Sequence, residues 1–226
     1  MLDRAREILA HDLDADFVKM AAIELGWQYA DSFNRLSSFA QHMPGLGEEE
    51  FSRQRGLIAT AALTQVAKTF NVPYEMKRLV CNGQHKLIVK MGRLVIIQEP
   101  ILAIGECPKI ADYKQELARA YGGMQQLELD LGDRPFHLTD ISNSMLCVLL
   151  HGSAGPKFNE TDKRLGSLML AVPDNQYSSW LMRIDLQKVA QLGVVQDGND
   201  AKKPYIQEDR VVVTPKRKQA SRDSSQ

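Results

Sequence analysis

Residues 151–164, HGSAGPKFNETDKR, gather His, Ser, Gly, Lys, Asp and Arg between two apolar runs. Those residue types suit acyl transfer or phosphate binding. A nucleophile elbow needs Gly-x-Ser-x-Gly on a strand-to-helix turn. Here Gly152 stands directly before Ser153, and the run after the loop reads as another strand, so the spacing fails. A phosphate loop needs Gly-x-x-x-x-Gly-Lys-Ser/Thr and a helix whose amides face the phosphate. The stretch shows neither. It reads instead as a long polar hairpin loop shaped by Gly and Pro. Such loops often carry contacts, which makes Lys157, Asp162, Lys163 and Arg164 binding candidates.

A second chemistry would be metal-dependent cleavage of nucleic acid. It needs carboxylates on neighbouring strands to hold a divalent ion, and a Lys to polarise the attacking water. Glu75-Met76-Lys77 supplies Glu-x-Lys on an expected strand, and Glu99 ends a later one. The Asp that should precede the pair is missing, since residues 71–74 read NVPY. Charges alternating along an exposed strand explain the same residues more simply. The five histidines, His11, His42, His85, His137 and His151, lack metal-ligand spacing and read as structural or exposed. Cys81, Cys107 and Cys147 are scattered, which suggests neither zinc nor disulfides and suits a reducing cytoplasm. No cofactor is expected. A divalent metal enters only with the nuclease alternative.

Lys+Arg 28 and Asp+Glu 28 balance to a formal net charge of +0, so no global field draws the chain to nucleic acid or to an anionic membrane. A local exception is the basic end PKRKQASR (215–222), where Lys216, Arg217 and Lys218 could meet phosphates. No apolar run approaches the length of a membrane span, and the charged N-terminus lacks a signal-peptide core.

These residues must be positioned by helices first and strands afterwards. A short helix is expected over 2–11, and Asp14 and Asp16 cap and charge the start of a longer one. Phe17, Met20, Ala21, Trp27, Ala30, Phe33, Leu36 and Ala40 form its expected buried stripe. Tyr29 and Phe39 fall off that stripe and are assigned to a contact with a partner chain. PGLG (44–47) should break the pattern, and EEE (48–50) should occupy the first turn of a third helix. That helix buries Phe51, Leu57, Ile58, Ala61, Ala62, Val66 and Phe70, and Asn71 and Pro73 end it.

After Pro73 the chain becomes β-rich. A meander is expected over 74–81, 84–90 and 93–98, with Asn82-Gly83 and Met91-Gly92 as its turns. A helix follows over 109–121, with the stripe Ile110, Tyr113, Leu117 and Tyr121. Further strands are expected at 125–131, 144–150, 165–172 and 177–186, and a closing helix at 186–192. The fold class is α+β: an N-terminal helical segment packed on a largely antiparallel sheet made of two meanders with an inserted helix. The expected parts are 1–72 (helical), 73–193 (β-rich, compact with 1–72) and 194–226 (a flexible tail). The function expected is that of a non-enzymatic cytoplasmic binding or regulatory protein. It would act through protein–protein contacts with a partner or a second copy, as in a stress-response, toxin–antitoxin or phage-defence component.

Overall fold

In the computed structural model, residues 2–79, 83–102, 106–121 and 144–192 are described. The strand expected at 125–131, His137, the tail 194–226 with Lys216, Arg217 and Lys218, and Asn82 lie outside them.

Three helices come first: α1 (Leu2–Asp12), α2 (Ala15–Ala40) and α3 (Pro44–Thr69). Asp14 caps α2, its Oδ1 accepting from the amides of Asp16 (2.8 Å) and Phe17 (2.9 Å). PGLG does not break the helical pattern. Pro44 opens α3, because the first helical position needs no amide hydrogen. Glu48, Glu49 and Glu50 consequently fall beyond the first turn. At the other end Asn71 takes φ 52, and the Val72 amide reaches back to Ala67 O at 2.8 Å, closing α3.

Six strands form one sheet in the order β1-β2-β3-β4-β5-β6. They are β1 (Tyr74–Arg78), β2 (His85–Met91), β3 (Leu94–Pro100), β4 (Met145–Ser153), β5 (Leu165–Pro173) and β6 (Trp180–Asp185). Neighbours pair antiparallel except β3 and β4, which run parallel, Leu94 facing Met145 and Pro100 facing His151. The connection between those two contains α4 (Asp112–Tyr121), as a parallel crossover requires. The two meanders therefore meet along a parallel seam. α6 (Leu186–Leu192) ends the described chain, its first amides capped by Asp185 Oδ1.

Gly92 makes the tight β2–β3 turn at φ +55, a sign that suits glycine. The same turn is tied to α1. The carboxylate of Asp12 accepts from Arg93 Nε (2.7 Å), Nη2 (3.0 Å) and backbone N (2.9 Å). The Arg93 hydrogen bonds hold the Asp12 carboxyl down at about 2, against the opposing effect of burial.

One face of the sheet is covered by helices. Leu9, Val18, Leu25, Leu63 and Val66 share a core with Leu87, Ile96, Cys147, Leu170 and Ile184, so residues 2–70 and the strands are built on common packing. The other face carries Ile97, Val148, Leu150 and Ala171 under Leu117 and Ala118 of α4. Alternation along β3 explains the split: Leu94 and Ile96 point to one side, Val95 and Ile97 to the other.

Several stripe assignments shift. The buried side of α2 is Val18, Ala21, Leu25 and Tyr29, whereas Met20 and Trp27 face outward. On α3, Leu57 and Ala61 are exposed, and Ala59, Leu63 and Ala67 are buried instead. Ile110 precedes α4 and is exposed. The shift on α2 has one cause. Both sides of α2 are apolar, so periodicity finds a helix without choosing which side is covered.

Candidate functional site

Tyr29 is not on the surface. It is fully buried, and its hydroxyl lies 2.7 Å from His151 Nδ1 on β4. His151 Nε2 lies 2.9 Å from Gln98 Oε1 on β3. The Gln98 amide nitrogen donates to Gly56 O at 3.0 Å, which fixes its oxygen toward the imidazole. His151 must then carry its proton on Nε2 and accept the Tyr29 hydroxyl at Nδ1. Burial, with the charges of Arg55 and Lys86 adding to it, pushes the imidazole down to about 3. Burial raises the Tyr29 phenol well above its usual range. The chain Tyr29–His151–Gln98–Gly56 thus binds α2, β4, β3 and α3 together, with both ring nitrogens used internally. It is built for position rather than for proton exchange with a substrate.

The loop after β4 is compact. Gly155 N donates to Asp162 O (2.9 Å), and Ala154 N donates to Arg164 O (3.0 Å). Asn159 caps the single turn α5 (Glu160–Lys163) by accepting from the Asp162 amide at 2.8 Å. Asp162 accepts the Lys157 amide at 3.0 Å, so its carboxylate shapes the loop. Lys163 is corrected from a contact residue to a buried one. Its Nζ donates to Pro156 O (2.7 Å) and stands 5.8 Å from the centre of the Phe51 ring. Lys157 and Arg164 remain exposed.

The residues of the nuclease alternative do not converge. Glu75 and Lys77 are exposed on the edge strand β1, where Glu75 stands 3.9 Å from Lys90 Nζ. Glu99 is buried two strands further in, and both of its oxygens are engaged. Oε1 accepts from Lys114 Nζ at 2.6 Å and Oε2 from the Tyr177 hydroxyl at 2.7 Å. Lys114 also donates to Lys109 O, so this group pins α4 and the β5–β6 turn to β3. Among the described residues, no three His, Cys, Asp or Glu side chains are grouped as a metal site.

What the surface does offer is the outward side of α2. Met20, Ile23 and Trp27 are 38%, 55% and 61% exposed and recur at helical spacing. They point away from the sheet that Val18, Leu25 and Tyr29 cover. The same line continues through Ala30 and Asn34 into a cleft of about 310 Å³, which Phe33, Glu160, Thr161 and Arg164 complete. Stripe and cleft together join an apolar strip to a polar end bearing both charges. The sequence marks Met20 and Trp27 as apolar and periodic, but assigns them to the core. The side chain of Phe39 lies outside the described residues.

No family model, curated protein or solved structure matches the chain. No helix among the described residues is long and apolar enough to cross a membrane.

Proposed function

We propose that this protein is a binding or regulatory protein whose working surface is the outward side of α2 with the adjoining α2–α5 cleft. The observation that carries this reading is Trp27, 61% exposed beside Ile23 at 55%, on the side of a helix opposite its buried one. Aromatic and aliphatic side chains grouped this way are the usual anchors of protein interfaces. The partner is a protein surface, a second copy of this chain included. Arg164 and Glu160 at the polar end orient it. Nothing in the geometry favours the nuclease alternative, because Glu99 is committed to Lys114 and Tyr177.

The test is the double variant Ile23→Glu, Trp27→Lys. Both positions point to solvent, so the variant should keep the wild-type circular dichroism and the melting temperature of the dilute wild type. It should lose the self-association that α2 carries in sedimentation velocity, or capture of a specific partner. A wild-type protein that stays monomeric at high concentration and retains no partner would defeat the proposal.

A further inference from the structure

The strand β1 closes one side of the sheet, and among the described residues it pairs with β2 alone. All five of its residues are exposed, Met76 at 46% and Tyr74 at 37%, so no described helix covers either of its faces. Its backbone directions are fixed by the bonds at its two ends. Lys90 N donates to Pro73 O at 2.8 Å and Leu79 N donates to Gln84 O at 2.7 Å, so residues 73 and 79 turn these groups toward β2. Alternation along an antiparallel strand gives Glu75 and Lys77 the same direction. The N–H and C=O groups of Tyr74, Met76 and Arg78 therefore point away from the sheet, as a row of donors and acceptors that another strand can pair. Edges of this kind are commonly guarded by cations, and Lys77 and Arg78 would serve that end. Glu75 changes the outcome for one incoming strand.

That strand is β1 itself. Laid antiparallel with Met76 opposite Met76, the segment Tyr74-Glu75-Met76-Lys77-Arg78 sets outward-pointing residues only against outward-pointing ones. Met76 then exchanges both backbone hydrogen bonds with Met76 of the second copy, and Tyr74 exchanges both with Arg78. The side chains match in the same register. Glu75 of each copy faces Lys77 of the other, twice by the two-fold symmetry. The Tyr74 ring faces the Arg78 guanidinium, and Met76 meets Met76. These last residues lie on the side of the sheet where their β2 partners, Val89 and Leu87, enter the helix-covered core. Neighbouring registers fail. A slip of two residues keeps the backbone directions but sets Glu75 opposite Glu75 in one sense and Lys77 opposite Lys77 in the other, and like charges directly opposite are destabilising. The charges along β1 therefore disfavour other pairings and admit this one.

We infer that β1 is the contact of a two-fold homodimer, in which two copies pair edge to edge about Met76 and their sheets become one. This contact stands apart from the α2 surface and does not depend on it. Sedimentation velocity of the full chain in the Ile23→Glu, Trp27→Lys background reads it alone, because α2 then contributes nothing. A dimer is expected within concentrations up to about 1 mM, the range suited to a small interface. Glu75→Lys and Lys77→Glu each place two like-charge pairs in the contact and should weaken dimerisation roughly tenfold or more. Mixing those two variants restores both opposite-charge pairs, so the mixture should form a heterodimer at wild-type strength, and the double variant Glu75→Lys, Lys77→Glu should dimerise by itself. Loss of the exposed contact between Glu75 and Lys90 within one chain could not be repaired by mixing. Met76→Pro removes an amide that points away from β2, so it should abolish the dimer and keep the circular dichroism. Should Met76→Pro fail to fold, the charge variants decide. A chain that stays monomeric leaves the edge to a different protein and overturns the inference. Charge variants that dimerise as well as their parent, or a mixture that restores nothing, overturn it too.

Discussion

At the scale of single residues, the burial of His151 predicts how the fold responds to acid. Its folded pKa lies near 3, below the ordinary histidine value of 6.5. A base with a depressed folded pKa contributes full stability above its unfolded pKa and loses it as pH falls toward the folded one. Stability should therefore decline from about pH 6.5 downward, by up to about 1.4 kcal/mol per pH unit. Asp12, held near 2, adds its own loss only below the ordinary carboxylate range. Urea unfolding at stepped pH should show the early decline in the wild type and not in His151→Gln. An identical pH profile for the two proteins would show that His151 does not set it. Tyr29→Phe leaves the Nδ1 acceptor buried without its donor and should cost about 1–3 kcal/mol. The sequence shows a His at the end of a strand and a Tyr on a helix. It cannot show that the two meet, because 122 positions separate them.

At the scale of elements, α2 is the informative case. Its apolar residues recur at helical spacing on two opposite sides, and only one side lies against the sheet. Leu25→Ala removes a fully buried side chain and should cost about 2–5 kcal/mol. Ile23→Ala, two positions away but facing solvent, should change stability by less than about 0.5 kcal/mol. Chemical denaturation of the two variants separates them, and equal losses would mean that the sides of α2 have been misassigned. The strands were more legible. Continuous apolar runs such as SMLCVLL mark central strands, because both of their faces are covered. The loop 151–164 was legible as a connection between strands and not as a folded unit. Its turn α5 and the burial of Lys163 depend on Phe51 and on backbone carbonyls that periodicity does not see.

At the scale of the whole molecule, a helical layer and α4 enclose one six-stranded sheet, and the outward side of α2 is left as an apolar surface. If that surface is covered by a second copy, association stabilises only the folded state. The melting temperature should then rise with protein concentration by mass action. Differential scanning calorimetry over a hundredfold range of concentration reads this directly, and the part of the dependence that α2 carries should vanish in Ile23→Glu, Trp27→Lys. A concentration-independent wild type would leave a different protein as the occupant. The amino-acid sequence by itself determined the class of fold, the order of its described elements apart from α5, and most of their limits. Those follow from local rules: helical spacing, Asn71 at the end of α3, and Gly92 in a tight turn. The tertiary structure alone decided the parallel seam between β3 and β4, the covered side of α2, the burial of Tyr29 and Lys163, and the burial of the Arg55 Nε without a hydrogen-bond partner. Each of these is a relation between residues far apart in the chain, set by which surfaces exclude water together, and no local spacing encodes it.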